Sequence, residues 1–228
     1  MLKRNLGPLL FGLIGCAILI SLSIWQFQRM QWKEGLIAAA YEGLAAAPVP
    51  LPENPTEAKD EYTPVLLDGE ILAGEVHVLT SRPGQGPGFT IIAPFQTADG
   101  RRILLDRGFV REAEKDATRP LGPIAGPAVL LWPDESDSYT PAPDLARNFW
   151  FARDVTPMAE ELATLPILAV ITEAQLDGAP RPLPVTVNFR NRHLEYTVTW
   201  AGLAVAWAFM TGVWITARER GTEKNLRV

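Results

Sequence analysis

Apolar residues gather at the two ends of the chain, and the pattern between them differs in kind. Lys3 and Arg4 precede a stretch from Asn5 to Gln28 that carries no charged side chain. Its centre, Leu9 to Phe27, is long enough to cross about 30 Å of hydrocarbon as a helix, with Pro8 suited to the first turn. Near the other end, Tyr196 to Ala217 is likewise uncharged. The pattern predicts transmembrane helices at 9–27 and 196–217, with short segments 1–8 and 218–228 outside them. Helical spacing continues past the first span through Trp25-Gln26-Phe27-Gln28-Arg29-Met30-Gln31-Trp32-Lys33. There Trp25, Arg29, Trp32 and Leu36 share one face at steps of four, three and four. That face reads either as an interfacial aromatic belt with snorkelling cations or as the wall of a site.

Residues 28–195 form the segment between the spans. Pro48 to Pro55 ends the leading helix. Beyond it the apolar runs are short and bounded by Gly, Pro and Asp: Val65 to Leu67, Val76 to Thr80, Phe89 to Phe95, Ile103 to Val110, Ala128 to Trp132, Ile167 to Thr172 and Val185 to Phe189. Such punctuation predicts strands, with Asp99-Gly100 as a hairpin turn and Gly84 to Gly88 as a tight connection. Asp154 to Leu165 reads as a short helix with Thr156 as cap before Pro157, and Ser136 to Asp144 as an exposed loop. The expected fold class is membrane α+β: two transmembrane helices flanking a β-rich, barrel-like or twisted-sheet extracytoplasmic domain.

Charge adds an orientation. The basic residues at the extreme ends (Lys3, Arg4, then Arg218, Arg220, Lys224, Arg227) place both termini in the cytoplasm and the middle across the membrane. Arg29, Lys33, Arg190 and Arg192 fall on the opposite side, where a long translocated loop is discounted by the same rule. The first span lacks a nearby small-residue cleavage site, so it reads as an uncleaved signal anchor. With a net charge of -5, the chain lacks the basic footprint of a nucleic-acid binder. The single cysteine, Cys16, lies inside the first span and excludes an intramolecular disulfide. Leu13-Ile14-Gly15-Cys16 resembles a lipoprotein box, but the residues after Cys16 remain apolar and the span needs them. Cys16 therefore reads as a small helix-packing residue.

Candidate chemistry concentrates at the mouth of the second span. Trp200, Trp207 and Trp214 recur every seven residues, and one step back lies His193, so an imidazole heads an aromatic stripe. It is either interfacial or an axial ligand to haem or copper. Copper needs further good ligands nearby, which the sequence does not supply, so haem fits better. Arg190 and Arg192 suit propionates, and Tyr196 and Trp200 suit the faces of a flat ring. Ala201, Ala204, Ala208 and Gly212 form a small-residue face that lets the first helix approach through Gly12, Gly15 and Cys16, bringing Trp25 and Arg29 near His193. His77, the other histidine, lies in an alternating strand run and is given no catalytic task. No G-x-S-x-G elbow, P-loop or dinucleotide fingerprint occurs.

These residues carry a resemblance that spans nearly the whole chain. Trp25-Gln26 with Arg29 and Trp32-Lys33, Gly86-Pro87-Gly88-Phe89 with Pro94, and Leu104 to Val110 are three of its pieces. Phe149 to Asp154 and Asn191 to Trp200 complete the set. In this order and between two spans, they resemble the surfeit locus protein family (Surf/Shy), assembly factors for haem-a-containing cytochrome c oxidase. The resemblance implies a two-span bacterial inner-membrane protein with a periplasmic domain that binds haem a and helps insert it into the catalytic subunit. It is a chaperone-like role without turnover, not an enzyme's. Implied partners are the oxidase catalytic subunit, haem a synthase and the lipid bilayer. His193 matches the family's haem-binding histidine and is the expected metal ligand. Tyr196, Trp200, Arg190, Arg192, Trp25 and Arg29 complete the expected cofactor site. The rival expectation is a structural assembly factor that binds oxidase subunits without haem. Asp106-Arg107-Gly108-Phe109 departs from the family's usual Asn before Arg and Trp after Gly, and Asp106 is given no role.

Overall fold

The computed structural model describes residues 2–174, 176–187 and 191–225, with side chains from residue 5 to residue 220. The chain divides into two compact units. One joins residues 1–38 with 188–228, and the other is 39–187.

The first unit contains two long helices, α1 (Leu2–Leu44) and, at the end of the chain, α4 (His193–Asn225). Both outrun the predicted spans. α1 continues past the first span through the expected leading helix to Leu44, helped by the Ala-rich residues from Ala38, and stops before Pro48. Pro8 lies inside the helix, not in its first turn. The stretches Asn5–Leu44 and His193–Arg220 are long and apolar enough to cross a membrane. Their apolar side chains point outward: Val205 and Phe209 are each 72% exposed and Met210 68%. So much contiguous apolar surface fits lipid as its solvent, as in a two-pass membrane protein.

α1 and α4 run antiparallel and meet along a narrow seam. Asn5 Nδ2 donates to Glu219 Oε1 at 2.8 Å at one end, and Ser23 Oγ donates to the Thr197 carbonyl at 3.0 Å near the other. Between them Gly12 backs on Thr211, Gly15 on Trp207, and the Cys16 thiol lies 3.8 Å from the Ala204 carbonyl. Phe11 packs on Trp207 and Trp214, with ring centroids 5.0 and 6.4 Å away. Seam positions on α4 are thus His193, Thr197, Ala204, Trp207 and Thr211, at steps of three, four or seven. Of the expected small-residue face only Ala204 is buried. Ala208 is exposed and Gly212 has nothing within 4 Å, because Trp207 itself occupies the space that Gly15 leaves.

In the second unit the turn punctuation proves a good guide. The strands are β1 (Val49–Pro50), β2 (Pro64–Ile71), β3 (Val76–Arg82), β4 (Gly86–Thr97), β5 (Arg102–Arg111), β6 (Gly122–Leu131) and β7 (Leu168–Ile171). Two helices accompany them, α2 (Glu57–Asp60) and α3 (Val155–Glu161). Strands β2, β6, β7, β5 and β4 pair in that order, and β4 pairs back to β2 through Ile71↔Phe95, which closes a five-strand barrel. β3 and β1 add to its edges. Closure depends on Gly69, where a Cβ would collide with the Gln96 carbonyl of β4. Residues 185–187, expected to begin a strand, are irregular, and 188–189 lie outside the described residues. Asp154, not Thr156, occupies the N-cap position of α3, without a side-chain capping bond, so Thr156 and Pro157 sit within its first turn.

Alternation sorts the strand residues into two cores. Val65, Leu67, Phe95, Ile103, Leu105, Leu130 and Ala169 fill the barrel interior. Val76, Val78, Ile92, Leu104, Leu168 and Val170 face outward, where Trp150 and the α3 residues Val155, Met158 and Ala159 cover them. β4 and β5 are therefore buried on both faces, which explains their nearly continuous apolar runs. Truncating a side chain such as Phe95 costs about 3–5 kcal/mol.

Candidate functional site

His193 is the first residue of α4, and the chain fixes it from several directions. Its backbone N–H donates to Asn191 Oδ1 at 3.4 Å. Its carbonyl accepts the Thr197 hydroxyl at 2.8 Å, while the Thr197 carbonyl accepts Ser23 from α1. The half-buried ring places Nδ1 2.6 Å from Gln26 Oε1, across the helix seam. Trp200 is half-buried seven residues on, whereas Tyr196 and Arg192 are exposed.

The α1 residues expected to flank the imidazole are exposed, and the contact of Arg29 is with Trp32. Trp25 is 55% exposed, and the Arg29 guanidinium stacks on Trp32, 3.8 Å from the ring centroid. Among the described residues no hydrogen bond or ring contact joins Trp25 or Arg29 to His193. The exposed Trp25, Arg29, Trp32 and Leu36 have the character of an aromatic belt. Gln26, one position along, is the α1 residue that meets the imidazole. Arg190 lies outside the described residues.

A second polar constellation is buried in the barrel unit, built on Asp106-Arg107-Gly108-Phe109. β4 pairs Ile91 with Gly108 and Ile92 with Asp106, so Arg107 is the extra residue of a bulge. Gly108 has φ +108, and a Cβ there would strike the Arg181 carbonyl. The bulge sends its two charged side chains different ways. Asp106 Oδ1 accepts the Gly108 N–H at 2.9 Å, and Oδ2 lies 3.4 Å from Arg153 Nη1. Arg153 also pairs with Glu135 at 2.6 Å. Burial pushes the Asp106 carboxyl up despite Arg153. For Glu135 burial acts the same way, but the hydrogen bonds and charge of Arg153 outweigh it and hold the carboxyl below its ordinary value.

Arg107, 1% exposed, donates Nη2 to the Pro120 carbonyl at 2.5 Å. Burial lowers its pKa, opposed by the charge of Glu75. Glu75 also binds His77 Nε2 at 2.8 Å and is ion-paired with Arg119. Burial works to raise Glu75, yet His77 and Arg119 outweigh it and hold it low. Asn148, at φ +52, fastens this cluster by accepting the His77 N–H at 3.2 Å and donating to the Glu75 carbonyl at 2.8 Å.

Three quoted sequence pieces meet here: Phe89 stacks on Phe149 at 5.2 Å, Trp150 bridges Val78, and Asp106 reaches Arg153. Glu75, Arg119, Glu135 and Asn148 were not singled out by sequence. Only Glu75 had a signal, its two-residue step from His77 along one strand edge. Among the described residues no three His, Cys, Asp or Glu side chains gather to hold a metal ion.

The fold and these sites define a class: a barrel domain inserted between two membrane-type helices, with a lone imidazole where the helices' seam ends. The SURF1 family model matches residues 13–205, which include His193, Gln26 and both barrel clusters, and the chain belongs to the SURF1 family. It is 32% identical to "Surfeit locus protein 1" of Homo sapiens over 88% of this chain and 74% of that protein. The Xenopus tropicalis protein of the same name is 32% identical, over 83% and 70%. A "SURF1-like protein" of Monosiga brevicollis is 30% identical over 98% and 92%.

Proposed function

We propose that this chain is an assembly factor for haem-a-containing cytochrome c oxidase that binds haem a as cargo at His193 and helps insert it into the catalytic subunit. Haem a synthase is the natural donor. The chain acts as a carrier without turnover, in a bacterial inner membrane, with both termini cytoplasmic and the barrel unit periplasmic. The observation that carries the reading is the position of His193: a half-buried imidazole at the end of the α1/α4 seam, held at Nδ1.

The residues present fit the group. Imidazole is a usual axial donor to haem iron. Trp200 and Tyr196, seven and three residues along α4, offer aromatic faces, and the lipid-facing helices offer an apolar bed for the macrocycle. Arg192 supplies a cation for a propionate, the role the sequence also gives to Arg190. The buried ion clusters of the barrel pair charge with charge, and His77, their imidazole, is buried and already engaged at Nε2 by Glu75. They support a platform role for that unit.

The test is haem titration of the detergent-purified full chain. Wild type takes up haem a with a Soret band, and His193→Ala loses or strongly weakens binding while still inserting and folding. A variant that keeps full haem with an unaltered spectrum overturns the site. A wild-type protein without any Soret band, purified from haem-a-producing cells, overturns the cargo reading in favour of a structural assembly role.

A further inference from the structure

We propose that Gln26 is the positioning residue of this site: it holds His193 as the Nδ1–H tautomer, so that Nε2 carries the lone pair that meets the iron. The ligating role rests on the haem reading above; the tautomer does not.

The argument starts from the 2.6 Å separation between His193 Nδ1 and Gln26 Oε1. A carboxamide oxygen only accepts, so the ring nitrogen facing it must carry the proton. A neutral imidazole has one such proton, which leaves Nε2 as the acceptor and metal ligand. Among the described residues Nε2 has no hydrogen-bond partner. The His193 backbone is held by Asn191 on the N–H and by the Thr197 hydroxyl on the carbonyl, and one turn on Ser23 of α1 binds the Thr197 carbonyl. The ring is thus tied to α1 directly, and the turn of α4 that carries it is tied there through Ser23, before any ligand arrives. Histidines that bind metals commonly donate the other ring N–H to a carboxylate or carbonyl, which fixes orientation and raises basicity. Here the carbonyl comes from a side chain on the opposite helix, so ligand geometry depends on the α1/α4 register. His77 offers the contrast: its Nε2 is already engaged by Glu75 and the residue is 5% exposed.

The first measurement needs no haem. Long-range 1H–15N spectra of the full chain, labelled at histidine and solubilised in detergent, report which ring nitrogen is protonated. The His193 signals are assigned by their loss in His193→Ala. Free imidazole side chains favour the Nε2–H form, so a protonated Nδ1 in wild type is a readable departure. Gln26→Leu is expected to return the ring to Nε2–H, and Gln26→Glu to keep Nδ1–H. Nε2–H in wild type, or a tautomer indifferent to Gln26→Leu, overturns the assignment. If Gln26→Leu does not fold, the wild-type and Gln26→Glu spectra still decide.

The second measurement loads haem a. Gln26→Leu is expected to weaken affinity about 10–100-fold, the usual effect of losing such a partner. Gln26→Glu, a stronger acceptor, is expected to lower the midpoint potential, a shift that mere structural support does not produce. A predicted tautomer together with haem binding that ignores both His193 and Gln26 overturns the ligating role and the haem reading with it. A wrong tautomer overturns the Gln26 assignment alone.

Discussion

In the barrel unit, Glu75, His77, Arg107 and Arg119 share one buried cluster, while Asp106, Glu135 and Arg153 share another. In the helix pair, polar contacts come singly: Asn5 with Glu219, Ser23 with Thr197, Gln26 with His193. The difference follows from the solvent each unit faces. A barrel in water can bury ions provided they neutralise one another. A helix pair in lipid has its backbone satisfied internally, so each polar side chain is an exception that needs its own partner. Charge in the barrel is therefore held in mutual clusters, while the polar contacts of the helix pair are made one at a time.

Breaking a barrel cluster gives the largest effect. Glu75→Ala leaves Arg107, Arg119 and His77 buried without their carboxylate. Loss of one partner from such a set costs about 3–5 kcal/mol, to be read by chemical unfolding of the full chain. The acid limb sharpens this. Glu75 and Glu135 have folded pKa values below their unfolded ones, so their contribution is present above the unfolded value, near pH 4. It is lost as pH falls through the folded values. Asp106, raised by burial, acts in the opposite sense and gains on protonation. Wild type is expected to lose stability below about pH 4, and Glu75→Ala to show a shallower loss. An unchanged acid limb in the variant would sink the idea that Glu75 carries part of it.

The seam is the next place to press. Gly15→Leu drives a side chain into Trp207, whereas Gly212→Leu enters open space on the same helix pair. Overpacking costs about 1–3 kcal/mol, while an exposed substitution stays within about 0.5 kcal/mol. Thermal unfolding in detergent should separate the two variants, with Gly15→Leu alone reducing the yield of folded protein. Equal behaviour would refute the register described here. It would also remove the geometric basis for pairing Gln26 with His193.

The same register marks where the sequence stopped being legible. Both helices could be read from uncharged runs, since lipid imposes length and composition locally. Six of the seven strands could be read from Gly, Pro and Asp punctuation. Barrel closure could not, because it depends on Gly69 meeting β4 across distant sequence. At the site, the seven-residue step from Trp200 to His193 was visible within one helix. Its α1 contact was not: Trp25 and Arg29 were expected nearby, and the residue that bonds the imidazole is Gln26, because only an antiparallel register decides which α1 side chain meets α4. The Ala208/Gly212 face failed for the same reason. In the barrel, Glu75 and Arg119 pair across a turn region that no local pattern connects.

The smallest expected effect concerns the exposed cations, and it tests the claim that the helix end holds one dominant donor. Arg192 lies beside His193 but is exposed, so any pairing with a propionate competes with water and salt. Such pairs contribute about 0–1 kcal/mol, which corresponds to at most about fivefold in affinity. Arg29 is comparable, since its guanidinium is already stacked on Trp32. Arg192→Ala and Arg29→Ala are each expected to weaken haem a binding by no more than that factor. Their effects should shrink as salt rises from 50 to about 500 mM, because exposed charges are screened. The absorption spectrum should stay that of wild type, since neither residue touches the iron. A titration in which Arg192→Ala matches the loss seen in His193→Ala, or shifts the Soret band, would contradict this ranking. It would mean that the cations, and not the imidazole, hold the cargo.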